Sequence, residues 1–194
     1  MAKLKEVYIQ VWSLLNEDTA RGKGLRLGYF LLLYFFIRIF LKAGWVNAYN
    51  IDSPVHRLLA DFITRVSVFF LRLFYGDIAV SHDFIISISG KPCIELLPGC
   101  NGFTHIVEIN LTLSLYPMTL KQKLIMLPVT VLILLFAAVL HFMILIPISY
   151  NAREWYGFSH NYFTKTLFFA FYFLCWIIWE KLRNGKKMSG KSLN

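Results

Sequence analysis

Glu95-Leu96-Leu97-Pro98-Gly99-Cys100-Asn101-Gly102-Phe103-Thr104 is where the chain passes from a mixed, strand-like composition to long apolar runs. A cysteine placed just after Pro-Gly and just before an apolar run sits near a helix N-terminus. There, free backbone N–H groups and the helix dipole favour thiolate over thiol. From this stretch alone Cys100 reads equally as a reactive thiol or as a small residue buried at a tight turn.

The rest of the chain decides what kind of protein surrounds that turn. Its 194 residues are 57% hydrophobic and 17% aromatic and carry a net charge of +9, more apolar than a soluble domain of this size. A membrane protein is expected. The basic residues cluster beside apolar spans, which fits flanks facing anionic lipid and argues against a nucleic-acid partner. Cys93, Cys100 and Cys175 form no CxxC pair and have no histidine at metal spacing, so neither a metal site nor another cofactor is expected. Residues 1–18 lack the apolar core of a cleavable signal, which leaves the first span as the insertion signal.

N-terminal to the turn, Leu4, Val7, Tyr8, Val11, Leu14 and Leu15 recur at helical spacing, as in an amphipathic helix lying on a membrane. Arg21, Lys23 and Arg26, with Gly22 and Gly24, read as a basic, flexible lead into a span over 27–46. Arg38 falls inside that span. It must snorkel outward, pair with a carboxylate or line a polar cavity, and nearby Lys42 and Trp45 favour snorkelling. Ser53-Pro54 opens a helix with Arg57, Asp61 and Arg65 at i, i+4 spacing, which reads as interfacial or partly embedded. Residues 78–97 have strand character around Gly90-Lys91-Pro92, so a β-hairpin outside the bilayer is expected, with Cys93 on its returning arm.

C-terminal to the turn, 103–116 is a short span carrying His105 and Glu108, with Thr104 and Thr112 completing a polar stripe toward the bundle interior. A long apolar span over 124–148 holds His141 as its only ionisable group, and a polar, aromatic loop with Arg153 and His160 leads into a last span over 162–179. The expected fold is an all-α membrane protein of about four transmembrane helices with interfacial helices and a small extracytoplasmic hairpin. Its parts are an N-terminal segment 1–26, a membrane domain 27–182 and a basic tail 183–194. With four spans, the basic residues before residue 27, at Lys121 and Lys123, and after Lys181 share the cytoplasmic side. Both termini are then cytoplasmic, and Cys100 and His160 share the outer face.

A nucleophilic cysteine needs a base for its proton and a donor for the oxyanion. Gly99-Cys100-Asn101-Gly102-Phe103 opening a helix, a basic inner loop, a long helix, and then Gly157-Phe158-Ser159-His160 before the last span together resemble the exosortase/archaeosortase family of membrane cysteine transpeptidases. The resemblance covers about 76–179. It implies a prokaryotic inner-membrane enzyme that cleaves C-terminal sorting tails of exported proteins, with Cys100 forming a thioester and His160 moving the proton. One departure stands out: in Ala137-Ala138-Val139-Leu140-His141-Phe142, His141 occupies the place of the family's arginine. Arg153 or Arg38 is then a candidate substitute, and Glu108, His105 and Arg38 are candidate substrate-binding residues. The expected partners are membrane lipid, the sorting tail and other members of an envelope complex. The alternative implied by the departure is a noncatalytic subunit that binds a sorting tail with the same cleft. Taken without the resemblance, His160 reads as an interfacial residue, His141 as a hydrogen-bonded bundle residue, and His105 with Glu108 as a buried polar pair locking helices together. A Cys93–Cys100 disulfide is a further alternative.

Overall fold

The computed structural model describes residues 13–15, 19–44, 54–81, 84–95 and 102–189. Of the expected N-terminal amphipathic helix only 13–15 fall among these, and they are helical.

Helix α1 is Ala20–Gly44. Thr19 starts it by accepting the Gly22 N–H at 3.1 Å, the usual role of a threonine N-cap. The basic lead over 21–26 is therefore helical, a correction to the flexible segment expected from its glycines. Arg26, Phe30, Tyr34, Ile37 and Leu41 form the buried stripe of α1, while Leu32, Phe35, Phe36, Ile39 and Phe40 are exposed. A helix with one stripe packed and apolar residues on the other faces fits a lipid surround.

Helix α2, Pro54–Leu71, buries His56, Ala60, Ile63, Thr64, Ser67, Val68 and Leu71. Its charged ladder stays outside, with Arg65 Nε 2.7 Å from Asp61 Oδ2. A sheet follows, of β1 (Ile78–Val80), β2 (Ile85–Ile88) and β3 (Lys91–Glu95), all antiparallel in the order β1-β2-β3. The expected hairpin is thus a three-stranded sheet over its described residues. Its tight turn is Ser89-Gly90, with φ of 50° and 75°, and Lys91 and Pro92 already belong to β3. Pro92 is tolerated because β3 is an edge strand and pairs Ser87 at an irregularity in register. Ile78, Ile86, Ile88 and Ile94 are buried with the helical core. Ser149 Oγ donates to the Cys93 carbonyl at 2.5 Å and ties the sheet to the helices.

Helices α3 (Phe103–Leu115), α4 (Leu120–Asn151) and α5 (Thr164–Ser189) complete the bundle. Thr119 and Gln122 cap α4 reciprocally. Between α4 and α5 come a 3-10 turn (Arg153–Trp155), an α turn (Tyr156–Phe158) and a π turn (Ser159–Phe163). Contacts fix the directions. Tyr29 of α1 donates to the Leu115 carbonyl while Arg38 approaches Glu108, so α1 and α3 are antiparallel. Thr164 meets His141 and Trp179 meets Thr130, so α4 and α5 are antiparallel as well. Helix α2 instead crosses the bundle. His56 near its start packs on Phe103, and Ser67 donates to the Val139 carbonyl, at nearly the same level of α4.

Among the described residues three stretches are long and apolar enough to cross a membrane: Ala20–Leu41, Leu120–Asn151 and Arg153–Asn184. The expected fourth span, α3, has 13 residues, about 20 Å of helix.

Candidate functional site

Gly102, the first described residue after position 95, carries φ +75°, and a Cβ there would lie 3.1 Å from the Ala138 Cβ and 3.9 Å from the Phe168 ring. Only glycine meets both the dihedral and the close approach without strain. One turn along α4 from Ala138 is His141, buried, with Nε2 3.0 Å from Thr164 Oγ1. The same hydroxyl lies 3.3 Å from the Ser159 carbonyl. The π turn Ser159–Phe163 carries His160 inward, so that its ring lies 6.1 Å from the His141 ring, centroid to centroid, and stacks on Tyr156. Single π turns in helices recur at functional sites. Among the described residues the Nδ1 atoms of both His141 and His160 are buried without a hydrogen-bond partner.

A second cluster lies deeper. Glu108 of α3 is 2% exposed. Arg38 Nη1 is 3.8 Å from its Oε2, His105 Nδ1 is 3.6 Å away, and Tyr172 donates to it at 3.4 Å. Tyr34 bonds closely to Arg38, as Tyr172 does to His105. A buried carboxylate needs such partners, which is why Arg38 turns inward to Glu108 and does not simply snorkel as expected. Phe168 joins the two clusters: it stacks on His105 at 4.2 Å and meets His141 edge-on at 5.9 Å. Beside them a cleft of about 320 Å³ opens between α1 and α5, lined by Tyr34, Phe35, Arg38, His105, Lys165 and Phe169.

The structure therefore gathers His141 with His160, and Arg38 with His105 and Glu108, around Phe168. Cys100, with the rest of 96–101, lies outside the described residues. Neither Arg153 nor Arg38 touches His141 among the described residues. Arg153 sits in the exposed 3-10 turn instead, near enough to Cys93 to favour its thiolate. Burial outweighs that influence and holds the Cys93 thiol above its usual range. Cys93 is a free thiol, and the other half of the disulfide alternative, Cys100, lies outside the described residues. Cys175 is fully buried packing.

No protein-family model matches the chain, and no curated protein or solved structure does either. The site must be read from its own chemistry.

Sequence reasoning passed over Thr164, Phe168, Tyr34 and Tyr172, which look like ordinary span residues. It also passed over a buried ion pair at the other end of the bundle. Arg26 holds Glu180 with Nε–Oε1 and Nη2–Oε2 both at 2.8 Å, Tyr116 donates to Glu180 at 2.6 Å, and Trp176 donates to Tyr116 at 3.0 Å. A signal existed: Glu180 is the sole acid after Glu154, at the end of an apolar run.

Proposed function

We propose that this chain is an exosortase-like membrane cysteine peptidase or transpeptidase that cleaves C-terminal tails of exported proteins. The observation that carries the reading is the pairing of His141 and His160, each with an Nδ1 that has no hydrogen-bond partner among the described residues, near Gly102, two positions after Cys100 in the chain. In the proposed reaction His160 takes the Cys100 thiol proton and the sulfur attacks the scissile carbonyl. The resulting oxyanion needs a donor. His141 supplies one in the tautomer with the hydrogen on Nδ1, in which Thr164 turns its single hydroxyl hydrogen from the Ser159 carbonyl to Nε2. His160 then protonates the leaving amine, a thioester forms, and water or an amine acceptor releases the product and returns the proton to sulfur.

Distances along the helices support a site at a membrane boundary. Gly102 packs on Ala138, eighteen residues past Leu120, which is about 27 Å of helix against a hydrocarbon core of about 30 Å. The short α3 with its loop thus accompanies α4 across nearly a full bilayer, in keeping with four crossings. Arg26, Lys121, Lys123, Lys181 and Arg183 would then mark the cytoplasmic side, with the sheet and both histidines at the outer one.

The test is processing of a tail-bearing substrate by wild type, Cys100→Ala and His160→Ala at matched expression. The reading expects processing to vanish in both variants; processing at the wild-type level overturns it. A second reading, a noncatalytic subunit that binds the tail, is favoured by His141, which stands where the resemblance carries a permanently charged donor. Loss of processing with retained co-purification of the substrate in Cys100→Ala separates the enzyme from that subunit.

A further inference from the structure

We infer that the cleft between α1 and α5 binds an anionic phospholipid, with Lys165 as the cation that holds its phosphate and the Glu108-paired Arg38 deeper in the same cleft. The inference stands apart from the enzymatic reading, since it uses neither Cys100 nor His160.

The first observation is the charge balance. Arg38 and Lys165 both line the cleft, both lie in stretches apolar enough to cross a membrane, and among the described residues Glu108 is the one carboxylate paired there, 3.8 Å from Arg38. Lys165 has no ion-pair partner among the described residues. A cation facing lipid is costly and draws a counter-ion to itself, and a phosphate at the lipid interface is the anion that a bilayer supplies.

Depth is the second. Lys165 follows Thr164, which bonds His141, and His141 is twenty-one residues past Leu120, about 31 Å along the helix. That is one bilayer core away from the Arg26 end. Arg38, at the level of Glu108, lies six residues along α3 from Gly102, about 9 Å closer to the middle. Lys165 thus sits at the boundary of the core, and Arg38 lies about 13 Å deeper, toward the middle of the bilayer.

The third is the track below them. From Arg38 toward the Arg26 end α1 presents exposed Phe35 and Leu32, and from Lys165 in the same direction α5 presents exposed Phe169 and Phe173. Two apolar rows along one cleft match the two acyl chains of one phospholipid. The walls come together below, where Tyr34 meets Tyr172 and Phe30 meets Trp179, so the cleft is open only in that leaflet.

The experiment uses the full chain, purified in detergent and stripped of lipid. Thermal unfolding is followed with phosphatidylglycerol, with phosphatidylcholine of the same acyl chains, and with glycerol 3-phosphate. Phosphatidylglycerol is expected to raise the midpoint more than phosphatidylcholine, and glycerol 3-phosphate to leave it unchanged. The exposed Lys165→Gln is expected to weaken phosphatidylglycerol binding about five-fold. Equal shifts from the two lipids, a full shift from glycerol 3-phosphate, or unchanged affinity in Lys165→Gln would overturn the assignment.

Discussion

Gly102 meets two constraints at once, a left-handed dihedral at the start of α3 and a backbone that must pass against Ala138. Gly102→Ala should cost about 1–2 kcal/mol for the dihedral, with the 3.1 Å Cβ approach adding to it. Pairing it with Ala138→Gly should recover the steric part and leave the dihedral part, as read by thermal unfolding of the two variants. The Arg26–Glu180 fork invites a sharper comparison. Glu180→Ala strands a fully buried guanidinium and should destabilise by about 3–5 kcal/mol, whereas Arg26→Met with Glu180→Leu should fall near the parent. Equal losses in the single and double variants would contradict that account. The single residues also show what a sequence discloses and what it hides. His105 with Glu108 was legible because ionisable groups inside apolar runs are few and must find one another, whereas Arg38 joining them was not, since Lys42 and Trp45 nearby pointed to snorkelling. Arg26 was not, because a basic residue at the edge of a span reads as a flank, and only the packing of α1 on α5 reveals it as interior.

Among the elements, α2 and the sheet decide what surrounds the site. The i, i+4 ladder of α2 was legible as an exposed stripe, but the depth of its other face was not. Ile63 and Val68 look like any apolar helix residues until α4 covers them. Likewise the alternation around Gly90 disclosed a hairpin, while β1 joins only because Ile78 finds Ile88 across the pairing. The π turn at Ser159–Phe163 had no signature at all, since a widened turn follows from packing and not from composition. Cys93 offers a test of how the sheet sits. Burial holds its thiol above the usual range, partly offset by Arg153, and only the thiolate is nucleophilic. Alkylation of Cys93 by iodoacetamide, mapped by peptide, should therefore be slower than that of a free cysteine at pH 8 and should accelerate only above the ordinary thiol range of about 8.5. Arg153→Gln should slow it further. The linked stability has a definite sign. The folded chain keeps a proton that the unfolded chain gives up, so the contribution is full below the unfolded pKa and is lost as pH rises through the folded one.

At the scale of the whole molecule, the proposed four-crossing arrangement asks segments of unequal length to serve one bilayer, three of them long and apolar enough to cross it. Helix α4 has 32 residues, about 48 Å, and so overruns the core. Its surplus beyond His141 carries the sheet through Ser149, so the open-edged strands among the described residues pack beyond the level of Ala138. Helix α3 falls short, yet Tyr116 at its end joins Arg26 and Glu180, fixing the 116–120 loop at the same end of the bundle as the start of α1 and the end of α5. A re-entrant α3 that left the chain on its starting side would put Lys121 across the membrane from Lys23, and that polar cluster would then have to form in hydrocarbon. The expectation is therefore that Lys23 and Lys121 face one side and Ser81 the other. Single cysteines at these three exposed positions, in a background with Cys93, Cys100 and Cys175 replaced, should separate under a membrane-impermeant maleimide. Lys23→Cys and Lys121→Cys should react only after permeabilisation, and Ser81→Cys in intact cells. Labelling of Lys23→Cys and Lys121→Cys from opposite sides would break the four-crossing arrangement and, with it, the placement of both histidines at the outer boundary. Reversed labelling of all three would keep the bundle and invert the compartment in which the proposed substrate must arrive.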